Sequence, residues 1–418
     1  MPVISEQRTL RLGLIFLLYI AQGVPLGLFF IAIPAWLAAN GASALAVGGY
    51  LSATSLPWTL KFVNGFIMER YSWLPMGRRR AWLIGAQLVI VGGLLTMAAL
   101  NPATTDVALL STLSFCINVA TTFQDVATDG LAVDLVPDDE RPRANSLMFG
   151  GQALGMAGAG AAAGLGIGMI GISGVSISAA LFVLVLVGLL LACRERAGER
   201  LLPWSAGATS PHCEALRLGA WMPIFTTTWQ AMRGRESLIL LAALLMNGAF
   251  SGYYSAVGPL MGSQYPGWAE ARISGLMATG SLITGVLAVL VYGALATRFT
   301  PRRTGMGATL LLGFLMILVL TAQPRWTEGW PVTFFILVNA PLSYLCTICL
   351  AAIGMRLCAP AVAATQFTLY MATSNLGRTL ASASIGPLDA LGGVPANVAA
   401  LGATAFAGAA LIWMLSRK

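Results

Sequence analysis

Charged residues are scarce in this chain of 418 residues, of which only 10% are aspartate, glutamate, lysine or arginine. A water-soluble protein typically carries about a quarter charged residues. So small a charged fraction leaves too little polar surface to cover a soluble protein of this length. Because the apolar residues also fall in runs near the ~20 residues that span a bilayer, the sequence predicts an integral membrane protein.

Histidine is nearly absent, and the six cysteines form no disulfide framework. Cys346 and Cys349 make a CxxC, but it lies inside an apolar run without a second pair or a histidine, so packing is a better interpretation than a metal or redox site. The single histidine, His212, lies in a polar segment and is a poor candidate for a proton relay. We expect no metal and no cofactor.

Apolar runs long enough to cross a membrane recur along the whole chain. We predict about twelve helices in an all-α membrane fold, at 11–39, 45–68, 81–100, 107–134, 144–170, 173–193, 237–262, 271–296, 304–322, 331–355, 363–388 and 395–415. The longest polar segment divides them into two six-helix bundles, 1–193 and 237–418, joined by a cytoplasmic loop at 194–236. Two related halves around a central loop are a recurring plan of transporters.

The distribution of positive charge predicts the orientation. With both termini inside, all 24 basic residues lie in inner segments except Lys61, Arg272, Arg325 and Arg378. This asymmetry follows the positive-inside rule, so both termini are expected in the cytoplasm. It also accounts for the net charge of +8 without nucleic acid as a partner.

The fourth predicted helix carries the most unusual polar residues, Gln124, Asp125 and Asp129, followed by Asp134. Ionisable residues inside a membrane are costly and are usually functional. Asp125 and Asp129 are four residues apart and share one helical face, whereas Asp134 points nearly the opposite way. Two close carboxylates repel each other, which favours holding a proton on one of them. The alternatives are proton coupling, substrate binding or a structural ion pair.

Two basic residues also fall within predicted helices. Lys61 lies about 12 Å inside the cytoplasmic end of the second helix, where it would neutralise an aspartate, attract an anionic substrate or snorkel to the surface. Arg378 lies in the eleventh helix and offers a fixed charge to carboxylate or phosphate groups, or a structural link between the halves.

A second group of residues clusters at the cytoplasmic ends of the helices. Such charges would pair in one conformation and separate in the other, which predicts a cytoplasmic gate, although part of the pattern reflects positive-inside topology. The residues are Gly65, Glu69, Arg70, Gly77, Arg78, Arg79, Arg80, Asp134 and Arg141.

These motifs resemble a known family. Gly65 to Arg70 with Gly77 to Arg80 resembles the loop signature of the major facilitator superfamily. The string from Gln124 to Arg141, Lys61-Phe62, and Ala364 to Phe367 with Gly377-Arg378 resemble its AmpG branch of muropeptide permeases, which has shorter siderophore-permease relatives.

The resemblance implies proton-driven import of a bulky solute across the inner membrane of a bacterial cell. It implies Gln124, Asp125 and Asp129 as the functional group, with Lys61 and Arg378 as accompanying charges. No nucleotide-binding P-loop occurs, so an ion gradient is the expected energy source. We expect a monomeric, non-enzymatic proton symporter of muropeptide-like solutes. The alternatives are a siderophore importer, or a membrane sensor or scaffold without transport.

Overall fold

A computed structural model describes residues 2–40, 44–268 and 270–416. Arg417 and Lys418, which contribute to the expected cytoplasmic C-terminus, lie outside the described residues. The membrane helices are numbered α1 to α12 in chain order. In the first half they are α1 (8–39), α2 (44–70), α3 (Arg80–Leu100), α4 (Val107–Leu135), α5 (141–170) and α6 (172–192). In the second half they are α7 (Arg235–Gln264), α8 (270–299), α9 (Pro301–Thr321), α10 (Trp330–Leu357), α11 (363–391) and α12 (394–414).

This arrangement confirms the expected all-α membrane fold. Glycine marks two of the sharpest breaks between consecutive helices. Gly171 separates α5 from α6 with a φ of 67°, and Gly393 lies between α11 and α12 with a φ of 65°. Positive φ angles are accessible to glycine without a steric penalty, so the chain reverses there within one or two residues.

Shorter interruptions occur inside three membrane helices. Single π-helical turns lie within α1 at Leu28–Ala32 and within α8 at Ala288–Tyr292. In α2 the helix ends at Leu60 and resumes at Phe62, so Lys61 stands at a turn in the middle of the span. Such irregular turns are common at functional sites in membrane helices.

The central segment is partly helical outside the membrane spans. After a helical turn at Pro211–Ala215, a longer helix runs from Trp221 to Met232. We call Trp221–Met232 the surface helix. It ends shortly before α7 begins at Arg235.

The chain forms two structural units. The first consists of Met1–Pro137, Gly151–Thr228 and Ala359–Thr368, and the second of Asp138–Gly150, Trp229–Cys358 and Leu369–Lys418. Each unit has its own apolar core, including Phe29, Tyr50 and Leu94 in the first and Phe335, Ile336 and Trp326 in the second. The division into bundles 1–193 and 237–418 stays a prediction.

Close helix packing in the first unit depends on small residues. A side chain added at Gly23 of α1 would lie 2.5 Å from the backbone nitrogen of Met156 in α5. One added at Gly155 of α5 would lie 2.4 Å from the carbonyl oxygen of Ile20. Only glycine permits backbones to approach so closely, and α1 is thereby held where it faces α4.

Candidate functional site

Three buried charges in the membrane helices of the first unit, those of Lys61, Asp125 and Asp129, meet at one place. Nζ of Lys61 lies 2.9 Å from Oδ2 of Asp125, joining the turn in α2 to the middle of α4. The same ammonium lies 5.8 Å from the ring centre of Trp58, one turn earlier in α2. This pairing corresponds to one of the alternatives that the sequence leaves open for Lys61.

Helix α1 completes the group with two neutral hydrogen-bond donors. Nε2 of Gln22 donates to Oδ1 of Asp125 at 2.5 Å. The hydroxyl of Tyr19 donates to Oδ1 of Asp129. Tyr19 and Gln22 are three residues apart in α1, so both face α4. We call Tyr19, Gln22, Lys61, Asp125 and Asp129 the Asp125 cluster.

Gln124 precedes Asp125 in α4 but contacts the backbone of α1 rather than the two aspartates. Its Nε2 donates to the backbone carbonyl of Leu18 at 2.9 Å, and its backbone carbonyl accepts a hydrogen bond from the hydroxyl of Thr128. The side-chain amide therefore ties α4 to the backbone of α1. This hydrogen bond fixes the position of α1 along α4 and so places Tyr19 and Gln22 beside the two aspartates.

The Asp125 cluster is buried and carries unequal numbers of charges. Lys61, Asp125 and Asp129 are only 7%, 3% and 2% exposed. One ammonium faces two carboxylates, so the ionised cluster has one excess negative charge in a region of low dielectric. A proton on either carboxylate removes that excess, because an isolated buried charge is strongly disfavoured.

A second group of charges lies at the ends of α2, α3 and α4. Glu69 accepts from Arg78 at 2.6 Å and from Arg79 at 2.9 Å. Asp134 accepts from Nε of Arg79 at 2.9 Å and lies 3.6 Å from Arg78. We call these four residues the Glu69 cluster. Its two carboxylates and two guanidinium groups balance each other.

The Glu69 cluster also holds the segment 359–368 within the first unit. Nη1 of Arg78 donates to the carbonyl of Pro360, and the amide of Ala364 donates to Oε1 of Glu69 at 3.2 Å. A side chain added at Gly65 would lie 2.7 Å from Cα of Thr365. The start of α11 therefore contacts both the charged group and the backbone of α2.

A carboxylate from the central segment orders the loop that carries the arginines. Glu195 accepts the backbone amides of Arg78, Arg79 and Arg80, each at 2.9 Å. Gly77 precedes them with a φ of 98°. A side chain at Gly77 would lie 2.4 Å from Oε2 of Glu195. Arg80 points away from the Glu69 cluster and donates to the carbonyls of Leu190 and Leu201.

Besides Gln124, Gly65, Gly77 and Arg80, three further predicted residues lie outside both clusters. Arg70 stacks on the ring of Tyr71, with Cζ 5.0 Å from the ring centre. Arg141 belongs to the second unit, where it pairs with Asp138 at 2.7 Å. Arg378 is exposed in the second unit and has no ion pair in the described part of the chain.

Sequence reasoning did not identify Tyr19, Gln22 or Glu195. Tyr19 and Gln22 were visible as two polar side chains three residues apart in an apolar run. Glu195 stands in an arginine-rich segment after the sixth helix, and nothing in its local sequence indicates that it binds amides more than a hundred residues earlier. Tertiary structure alone brings those groups together.

The part of the chain that the structure describes contains twelve membrane helices with charged residues buried inside them, which is the architecture of a secondary transporter. Residues 15–382 match the family model of the Major Facilitator Superfamily. The chain therefore belongs to this superfamily. It is a multi-pass membrane transporter of small molecules and not an enzyme.

The chain is also similar to individual proteins, one by sequence and two by structure. The anhydromuropeptide permease of Escherichia coli K12 is 25% identical over 382 residues, which cover 88% of this chain and 72% of that protein. Among solved structures, the Escherichia coli fucose:proton symporter matches with a TM-score of 0.72 at 13% identity, covering 98% of this chain and 99% of that one. The human organic anion transporter MFSD10 matches with a TM-score of 0.70 at 15% identity, covering 97% and 100%. At these identities the solved structures support the fold alone.

Proposed function

We propose that the chain is a proton-coupled importer of a bulky polar or anionic solute of the muropeptide class, working by alternating access. It acts as a monomer in the inner membrane of a bacterial cell, with both termini in the cytoplasm. The similarity to the anhydromuropeptide permease over 88% of the chain supports the substrate class. The single observation that carries the coupling is the charge imbalance of the Asp125 cluster.

Coupling follows from the chemistry of that cluster. Lys61 and Asp125 bind each other directly, whereas Asp129 forms no salt bridge with any residue that the structure describes. Its contact is the neutral hydroxyl of Tyr19, which serves a protonated or an ionised carboxylate equally because a hydroxyl both donates and accepts. We infer that Asp129 takes the proton and that Asp125, held by Lys61 and Gln22, transmits the change to α1 and α2.

The Glu69 cluster serves as the cytoplasmic gate in this proposal. Its hydrogen bonds to Pro360 and Ala364 hold the start of α11 against α2 in the conformation described here. Opening toward the cytoplasm requires these bonds to break. Arg378, which is exposed in the second unit, supplies a positive charge for a carboxylate of the substrate.

The test is uptake into energised membrane vesicles that contain the full chain. Labelled anhydromuropeptide is offered with and without a protonophore, and labelled ferric siderophore is offered in parallel. The proposal expects accumulation of anhydromuropeptide that the protonophore abolishes. Accumulation of the siderophore instead would reassign the substrate, and accumulation of neither by folded protein would favour a sensor or scaffold.

Matched variants separate coupling from binding. Asp129→Asn is expected to abolish accumulation against a gradient but to retain exchange of labelled for unlabelled substrate, because the variant mimics the protonated cluster. Asp125→Asn is also expected to abolish accumulation. Asp106→Asn is the control, because Asp106 is an exposed carboxylate just before the start of the same helix. Normal accumulation by Asp125→Asn and Asp129→Asn would contradict the proposed coupling.

A further inference from the structure

The surface helix presents three chemically different faces. Ile224 and Thr228, four residues apart, are buried against the protein. Met222, Phe225 and Trp229, spaced by three and four, are 69%, 47% and 69% exposed. Thr226 and Gln230, again four apart, are exposed and polar. At 100° per residue, the two pairs and the three apolar residues lie on three different sides of the helix.

Two faces would be enough for a helix that lies on a protein surface in water. The third, apolar face is unfavourable in water, since burying apolar surface yields about 25 cal/mol per Å². Exposed aromatic and methionine side chains in a row usually mark a surface that binds something. A helix at the boundary between a bilayer and water needs one side that contacts the protein, one apolar side that contacts lipid and one polar side that contacts water.

Basic residues flank the surface helix at both ends, while the helix itself carries no charge. Arg217 precedes it, and Arg233 and Arg235 follow it, all exposed. Arg217 lies 3.5 Å from Glu214 and Arg235 lies 3.4 Å from Glu236, both as solvent-exposed pairs that are weak in water. The guanidinium groups therefore remain available to bind anions such as phosphate.

The position of the surface helix favours lipid over another occupant. Its last residue, Met232, is followed within three residues by the membrane helix α7. Leu238, in the first turn of α7, is exposed and apolar like Trp229. The apolar face is thus continuous with the part of the chain that must contact acyl chains.

We propose that the surface helix lies in the boundary of the leaflet on the side of the central segment and binds anionic phospholipid there. Met222, Phe225 and Trp229 enter the upper acyl region, and Arg217, Arg233 and Arg235 bind the headgroup phosphates. Thr226 and Gln230 remain in water.

Aromatic contacts connect the surface helix to the end of α2 and the residue that follows it. The ring of Phe225 lies 4.9 Å from that of Phe66, and the ring of Trp221 lies 5.9 Å from that of Tyr71. Phe66 belongs to the stretch Phe62–Arg70 of α2, which carries Glu69. Anionic lipid therefore stabilises the end of α2 that supports the Glu69 cluster.

The first test measures depth in the membrane. Single nitroxide labels are placed by Met222→Cys and, as a matched control, Gln230→Cys, in the full chain with Cys116 and Cys358 replaced by serine. Collisions with oxygen and with a water-soluble nickel chelate are compared in nanodiscs that contain phosphatidylglycerol. We expect a several-fold higher oxygen-to-nickel ratio at 222 than at 230. Equal ratios, or spin–spin broadening that shows a second copy on this face, would overturn the proposal.

The second test measures the lipid preference without any transport assay. The purified chain is equilibrated with mixed phosphatidylcholine and phosphatidylglycerol, and the retained lipids are quantified. Each arginine removed in Arg217→Gln, Arg233→Gln and Arg235→Gln is expected to lower the enrichment of phosphatidylglycerol by up to about fivefold. Arg325→Gln, another exposed arginine, is the control and should change nothing. Unchanged enrichment in the triple variant would overturn the anionic specificity.

Discussion

The Asp125 cluster and the Glu69 cluster lie in the same unit, and each draws on α2 and α4, yet they differ in charge balance. The Asp125 cluster sets one ammonium against two carboxylates. The Glu69 cluster sets two guanidinium groups against two carboxylates. A balanced group gains nothing from a proton, whereas an unbalanced buried group does. This difference is why we propose proton binding for the first cluster and conformational holding for the second.

The clusters also differ in the neutral groups that surround the charges. Side chains of α1, from Tyr19 and Gln22, complete the Asp125 cluster. Backbone groups of Pro360 and Ala364 complete the Glu69 cluster. Side-chain donors adapt to a change of protonation by rotating, while backbone groups move only when a whole segment moves. The second cluster is therefore sensitive to the position of α11 and the first to the protonation of its acids.

The largest effect is expected from removing the only cation of the Asp125 cluster. Lys61→Met leaves two buried carboxylates without a positive charge, and breaking a buried pair typically costs about 3–5 kcal/mol. We expect a large fall in the thermal unfolding midpoint and no accumulation of substrate. The measurements are unfolding in detergent and uptake in vesicles.

The double variant Lys61→Met/Asp125→Asn separates stability from coupling. Because it removes both members of the pair, most of the lost stability should return while accumulation stays absent. Recovery of accumulation in the double variant would mean that the pair is structural and that the charge imbalance carries no coupling.

A comparable loss of stability, with a different signature, is expected in the balanced cluster. Arg79 bonds Asp134 through Nε and Glu69 through Nη2, so it bridges two carboxylates with two separate groups. Arg79→Gln removes that bridge and should destabilise the chain by about 3 kcal/mol. Arg79→Lys should fail to restore stability, because an ammonium lacks the fork geometry of a guanidinium.

Variants of the Glu69 cluster should differ from those of the Asp125 cluster in how they affect uptake and exchange. Arg79→Gln is expected to slow uptake and exchange alike, since it disturbs a conformational contact and leaves the Asp125 cluster intact. Uptake and exchange are measured in the same vesicles. Loss of accumulation with normal exchange in this variant would show that the Glu69 cluster also takes part in coupling.

A smaller effect is expected at the glycine that precedes the two arginines. Gly77→Ala forces a β-carbon into a positive φ and against Oε2 of Glu195, which should cost about 1–2 kcal/mol. Gly85→Ala is the matched control, because nothing lies within 4 Å of a β-carbon there. Thermal unfolding of both variants measures the difference, and equal midpoints would show that the Glu195 contact adjusts freely.

The sequence predicted the fold well because its signals are local. Apolar runs, polar breaks and the excess of basic residues in alternate loops each depend on neighbouring residues. All twelve expected helices are found among the residues that the structure describes. The pairing of Lys61 with Asp125 was also within reach, because a buried lysine and a buried aspartate in adjacent helices must neutralise each other.

The rest depended on tertiary structure. The contacts of Glu69 with Ala364, and of Glu195 with the amides of Arg78 to Arg80, join residues separated by about a hundred or more positions. No periodicity encodes such partners, because a backbone amide looks the same at every residue. The ring contact of Arg70 with Tyr71 and the ion pair of Arg141 with Asp138 were likewise not visible in the sequence, and the place of both arginines in the gate stays a prediction.

The smallest expected effect lies beside the balanced cluster, at Glu199 in the central segment. Burial, followed by the nearby charge of Glu195, raises the pKa of Glu199 from 4.5 to about 7. Hydrogen bonds from Ser210, Cys213 and the amide of Arg196 oppose this shift. The folded chain therefore holds a proton on Glu199 in a pH range where the unfolded chain has released it.

The sign of the pH effect follows from this difference in bound protons. The contribution of Glu199 to stability should be greatest below about pH 4.5, fall as the pH rises towards 7, and stay level above it. Glu199→Gln cannot ionise, so its unfolding midpoint should fall less between pH 5 and 7, and above pH 7 it should exceed that of the unaltered chain. A parallel slope in both proteins would mean that the folded chain does not raise the pKa of Glu199.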